Sequence, residues 1–315
     1  MAMATGDPAF SSTLGSLGDG LVSYIPADSS QLTTIGGIAA GGLGLAAAAA
    51  GGGAAAAAGA AASISGFSLS GSITMGPVIQ GHSLTVQAFK SDGTLLATGA
   101  INNDGTYTIS YSGNYTGAVL VRVIDTNDSV NDYMDEGTRT AHDLSIDIRA
   151  VTVIPGAGTY TVNLNALTEL AVQHLGLSNG NNGSSTTTLG NISTSSISAA
   201  NQDIANALGL TGINLISSTV SAVVDTTGAN NTNANDYGRA LAAISGVEAS
   251  TGMSTTQVLN DLSNDLAANN GALSNYSQSL LIGGANYVGN QNLNSIGGTS
   301  SGGSNVLASQ FGNSA

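Results

Sequence analysis

The sequence predicts a multi-domain α+β chain in which a β-sandwich is followed by a small bundle of short helices, both preceded by a Gly/Ala-rich N-terminal assembly segment. Three observations lead there. Residues 63–164 place apolar side chains with the alternation of strands, broken at regular intervals by Gly, Asn and Asp. At Asn165 the spacing changes to that of helices and keeps it to residue 289. Residues 35–62, IGGIAAGGLGLAAAAAGGGAAAAAGAAA, hold fifteen alanines, nine glycines and no polar side chain.

The chain opens with residues 1–34, where Phe10, Leu14, Leu17, Leu21, Tyr24 and Ile25 fit one face of a helix, interrupted by Gly15, Gly18, Gly20 and Pro26. An apolar face without a core of its own reads as a docking element or as a flap on the following module. The following run is long enough to cross a bilayer, but only Ile35, Ile38, Leu43 and Leu45 in it are strongly apolar, and no Lys, Arg, Trp or Tyr anchors flank it. No stable membrane span is expected. Each glycine costs a free helix about 1 kcal/mol, so the alanines gain little alone. Gly and Ala do let two backbones approach closely, and a neighbouring copy of the chain is the expected partner. Residues 1–62 are therefore read as an assembly segment. The start, MAMATGDPAF, lacks the basic and apolar regions of a cleaved signal peptide.

Strands come next. Residues 64–73 and 83–89 (SLTVQAF) alternate, Asp92-Gly93 turns, 95–101 returns, and Asn102 to Gly105 turns again into 107–111 (YTISY). Residues 118–124 (AVLVRVI) are almost continuously apolar, as a strand covered on both faces should be. Segments 144–154 and 160–164 complete about seven short strands, and an immunoglobulin-like sandwich over 63–164 is the economical arrangement.

The domain 165–289 reads as helices. NALTELAVQHLG spaces Leu167, Leu170, Ala171, His174 and Leu175 helically and ends at Gly176. Residues 178–196 form a Gly/Asn/Ser/Thr loop, and Ile197, Ala200, Ile204 and Leu208 make the next stripe. Further short helices are expected at 215–224, at 236–250, and at 254–268 with Ser254 or Thr255 as cap, with a last apolar piece at 276–288. Residues 290–315 form a Gly/Ser-rich tail.

The segments SDGTLLATGAINNDGTYTIS, TGAVLVRVIDT, VNLNALTELA and YGRALAAISG together resemble a module of large secreted bacterial adhesins and biofilm-matrix surface proteins. In that module an immunoglobulin-like or regulatory-domain-like sandwich precedes a helical unit that begins with an "NPLTELA"-type start. Ala166 stands where the proline is usual. The composition also resembles that of type I secretion substrates: no cysteine, five basic against nineteen acidic residues, net charge −14, and a nearly uncharged tail. Together the two resemblances imply a bacterial chain that is secreted, to the extracellular space or the cell surface.

Such a charge excludes nucleic-acid binding through phosphate neutralisation and makes cations the natural partners. Seven of the nineteen acids fall within the twenty-three residues from Asp125 to Asp147. The candidate metal ligands are Asp125, Asn127, Asp128, Asp132, Asp135 and Glu136, with Asp143 and Asp147 nearby. Carboxylate and amide oxygens on a loop suit Ca²⁺, which accepts six to eight of them. The plain alternative is a solvated loop whose acids pair with Arg122, Arg139 and Arg149. A second Asn/Asp stretch, 230–236, is a weaker cation candidate. His82, His142 and His174 lie far apart, His174 on the apolar stripe of its helix, and no nucleophile elbow or phosphate-binding loop is present. The expectation is a non-enzymatic structural protein, assembling into filaments or a surface lattice by packing of its N-terminal segment on the next copy. The alternative is a calcium-dependent adhesin module that binds glycans or a host surface.

Overall fold

A computed structural model describes residues 66–177 and 189–291 and, as backbone only, two short strands near the N-terminus. The chain divides into two compact units, residues 1–63 and 64–315. In the first, β1 (Gly15–Leu17) pairs antiparallel with β2 (Leu21–Ser23). The helical face expected across residues 10–25 is thus replaced by strand at these positions. Gly18 and Gly20 between them penalise a helix, and Gly-Asp-Gly is turn chemistry. The run 35–62 and the tail from 292 on lie outside the described residues.

The second unit is mixed α+β. One four-stranded sheet has the order β10 (Ile148–Ile154), β7 (Gly117–Asp125), β4 (Leu84–Lys90), β5 (Leu95–Ala100), antiparallel throughout. The other is built on β3 (Phe67–Thr74), which pairs antiparallel with β6 (Thr106–Tyr111) on one side. On its other side β3 pairs parallel with β11 (Gly158–Thr161) and then β12 (Leu164–Asn165). A small ladder joins β8 (Tyr133–Met134) and β9 (Ala141–His142). Period-two alternation sends Leu69, Ile73, Ile109, Val86, Ala88, Val121, Val123 and Ile148 into one core shared by both sheets. β7 is covered on both faces, as its apolar run requires. Val119, Val121 and Val123 face that core, while Ala118 and Leu120 join Val151, Val172 and Ile197 in a second one.

Among the described residues five helices follow, each started by a side chain that accepts otherwise orphaned amide hydrogens. They are α1 (Ala166–His174), capped by Asn165; α2 (Thr194–Ala207), capped by Ser193; α3 (Asp236–Thr251), capped by Asn235; α4 (Thr255–Ala268), capped by Ser254; and α5 (Asn275–Asn290), capped by Ser274. The helix expected at 215–224 does not form. Asn214 Oδ1 accepts from the amides of Ile216 and Ser217, a local turn that competes with a helix. α3 and α5 press their backbones together: a Cβ on Gly246 would meet the Gly284 carbonyl at 2.1 Å, and one on Gly284 would meet the Ala243 carbonyl at 2.2 Å.

The two sequence motifs at 165–170 and 237–246 meet where sheets and helices join. Asn165 caps α1 and closes a capping box with Thr168, and its Nδ2 donates to the Tyr237 hydroxyl at 2.8 Å, which donates on to the Leu215 carbonyl at 2.9 Å. Glu169 accepts from the Arg149 backbone amide at 3.0 Å, from Nε at 2.9 Å and from Nη2 at 2.5 Å, with both side chains buried. This bidentate, desolvated pair ties α1 to β10. Losing one partner would leave a buried charge uncompensated, which costs about 3–5 kcal/mol.

Candidate metal centre

β7 ends at Asp125 because the Ser83 hydroxyl and the Asn127 amide both donate to its Oδ1, which turns the chain out of the sheet. The loop returns at Asp132, whose side chain is fully buried. Its Oδ1 accepts from the Ser83 amide at 2.8 Å and hydroxyl at 3.2 Å, and its Oδ2 from the Leu144 amide at 3.1 Å. The β8–β9 ladder pairs Tyr133 with His142, and the Asp132 amide donates to the His142 carbonyl at 2.7 Å. That register delivers Asp143 to the same spot.

Asp125, Asp132 and Asp143 each place a carboxylate oxygen within 4.8 Å of the other two. Asp125 Oδ2 and Asp143 Oδ1 are sheltered from water and have no hydrogen-bond partner. Burial raises the Asp143 carboxyl above the usual range, and the negative charges of Asp125 and Asp132 push it the same way. For Asp125, burial works upward too, but the Ser83 hydroxyl and the Asn127 and Thr126 amides outweigh it and hold the group low. The chemistry is that of hard oxygen donors at short range with unused lone pairs. Hard divalent cations fit it.

Of the ligands expected from sequence, Asp125 and Asp132 meet here. Asn127 uses its Oδ1 to accept from the Ser129 amide at 3.3 Å, and Asp128 is exposed on the loop. Asp135 and Glu136 go elsewhere, to a second set of acids facing the helices. Asp135 accepts from the Ser245 hydroxyl at 2.5 Å, the Thr138 amide at 2.7 Å and the Thr138 hydroxyl at 2.8 Å. Glu136 is fully buried; its Oε1 accepts from the Val223 amide at 2.6 Å and its Oε2 has no partner. Gly137 follows, with its amide donating to the Ser245 hydroxyl at 2.7 Å; a Cβ there would meet the Ser245 carbonyl at 2.6 Å. Glu248 completes the set on α3 and accepts from the Thr255 hydroxyl at 2.9 Å. Burial, and then the Asp135 charge, pushes Glu136 and Glu248 each up to about 8.

The arginines divide as well. Arg122 pairs with Asp147 at 3.3 Å, but Arg149 is held by Glu169, and Arg139 reaches the Asn230 side chain and the Gln291 carbonyl. Stretch 230–236 uses its amides for local turns and to cap α3. His82 contacts the Leu84 amide and the Asn102 carbonyl, His142 the hydroxyls of Thr138 and Thr140, and His174 the Asp203 carboxylate at 3.6 Å. Sequence reasoning missed Ser83 and Ser245, since single serines in a serine-rich chain carry no local signal. Among the described residues no helix is long and apolar enough to cross a membrane. Compared with known proteins, the sequence matches no family model, no curated protein and no solved structure.

Proposed function

We propose that the protein is a secreted, non-catalytic structural subunit of the bacterial exterior, whose acidic loop is clamped by Ca²⁺. In this reading the subunits build a filament or surface lattice through the N-terminal segment. The observation that carries the calcium assignment is the convergence of Asp125, Asp132 and Asp143 with two carboxylate oxygens left unpartnered. A cation there offsets repulsion among three carboxylates and ties the ends of β7 and β9 to the intervening loop. The two sheets sharing one core support an immunoglobulin-like reading of residues 63–164.

Assembly rests on the charge-free run 35–62, whose glycines and alanines suit close packing on another copy. A contact between different surfaces of successive copies does not close and therefore propagates.

Calorimetric titration of the full chain with CaCl₂ tests the first half. Ca²⁺ at about 100 times its Kd adds about 2.7 kcal/mol of stability, and Asp132→Asn abolishes both the heat and the gain. No heat with the wild-type chain rejects the calcium assignment. For the second half, a chain lacking residues 1–62 stays monomeric by light scattering in calcium buffer while the full chain grows; equal behaviour rejects the assembly mechanism.

A further inference from the structure

A cleft of about 440 Å³ opens between the edges of β10 and β11, with α2 and the turn at 213–217 forming its other walls. Among the described residues, none that lines it is charged. We propose that this cleft binds a neutral saccharide. The inference is independent of the calcium reading, because no acidic residue lines the cleft.

The floor is apolar, made by Val151 and Ile197, and the walls carry hydroxyl and amide groups. Asn201 is the central one. Its Nδ2 donates to the Ile197 carbonyl at 2.9 Å, while its Oδ1 is sheltered from water and accepts from nothing. A buried acceptor left unmade is costly, and rotation of the amide toward the cleft lets a ligand hydroxyl satisfy it. Gln202 donates through Nε2 to Asn206 Oδ1 at 2.8 Å, which leaves Oε1 as a further acceptor. Asn214 has its Oδ1 taken by two backbone amides, so its Nδ2 remains as donor. The Tyr160 hydroxyl donates to the Gly156 carbonyl at 3.0 Å and can still accept, and its ring is half-buried. Alternating donors and acceptors beside an aromatic ring match vicinal sugar hydroxyls, each of which both donates and accepts. Phosphates and carboxylates find no cationic partner here, and metal ions find no anionic one.

An added peptide strand is the competing occupant. The Arg149 amide points away from β7, to Glu169, so the two-residue alternation of an antiparallel strand turns the backbone of Val151 and Val153 to the open edge. That free edge is short, because Glu169 and α1 already close its Arg149 end. Side-chain amides and hydroxyls dominate the rest, which favours the sugar.

Saturation-transfer NMR on the full chain, with cellotriose, maltotriose and mannotriose as probes and trigalacturonate as the charged comparison, tests this. At least one neutral trisaccharide binds, with a Kd of about 1 mM, and trigalacturonate does not. Asn201→Ala weakens binding by about tenfold with an unchanged melting temperature. Ser217→Trp, on an exposed turn, blocks the mouth and abolishes binding. EDTA leaves the signal intact, which separates this site from the acidic loop. The proposal is overturned if no neutral trisaccharide binds at about 10 mM, or if binding survives both substitutions. It is also overturned if an uncharged peptide of residues 303–312 binds in their place and is lost in the Ser217→Trp chain.

Discussion

Two sets of acids arise from one short loop and end in opposite environments. Asp125, Asp132 and Asp143 gather at the end of the first sheet, held by backbone amides and the Ser83 hydroxyl, with carboxylate oxygens to spare. Asp135 and Glu136, only three and four residues beyond Asp132, point into the helical layer beside Glu248. The two residues of β8, Tyr133 and Met134, stand between the sets. The first set gathers three carboxylates with unpartnered oxygens, and suits a cation. In the second, burial favours the protonated form of Glu136 and Glu248, and the set joins sheet to helix.

The largest expected effect breaks the inner set. Asp135→Ala leaves the buried Ser245 hydroxyl and the Thr138 amide without their acceptor. Each unsatisfied buried group costs about 1–3 kcal/mol, so urea unfolding at pH 7 should show a loss of about 3 kcal/mol. A loss below about 1 kcal/mol means the hairpin does not anchor the helices.

Next in size is the pH dependence. Glu136 and Glu248 stay protonated in the folded chain up to about 8, whereas the ordinary glutamate value is 4.5. Between these values folding takes up a proton at each, so their stabilisation is complete below 4.5 and is lost as the pH rises to about 8. Each group contributes a slope of about 1.4 kcal/mol per pH unit at most. Glu136→Gln keeps the acceptor for the Val223 amide and removes the titration. Stability of that variant measured at pH 5 and pH 8 should differ less than in the wild-type chain; an unchanged difference means that Glu136 is already ionised when folded.

Substitutions in the outer set act more gently. Without calcium, Asp143→Asn relieves repulsion from Asp125 and Asp132 and stabilises by a few tenths of a kcal/mol, the discount its solvent exposure demands. With calcium, the same variant loses most of the cation-induced rise in melting temperature. A full rise in the variant would remove Asp143 from the ligand set. Smallest of all is Asp128→Asn, on an exposed loop position, which should stay within about 0.5 kcal/mol of wild type and bind calcium equally well.

The local code for this chain was largely legible. Alternation located the main strands, helical spacing located α1, α2, α3 and α4, and Ser254 announced its cap; each depends only on side chains a few residues apart. The density of acids also pointed to Asp125 and Asp132. Sequence alone did not show that the β8–β9 register would bring Asp143 to them, or that Asp135 and Glu136 would turn away. Those outcomes depend on Ser83 and Ser245, residues 49 and 110 positions from the acids they hold. The motifs at 165–170 and 237–246 were visible as strings, yet their common purpose, the Asn165–Tyr237 hydrogen bond beside the Arg149–Glu169 pair, exists only once sheets and helices are packed. Sequence by itself determined most of the strand and helix segments after residue 63 and where carboxylates were dense, because propensity, capping and repulsion act locally. Tertiary structure decided which carboxylates keep their charge, because desolvation and distant hydrogen-bond donors set that, and both come from burial against parts of the chain far away in sequence.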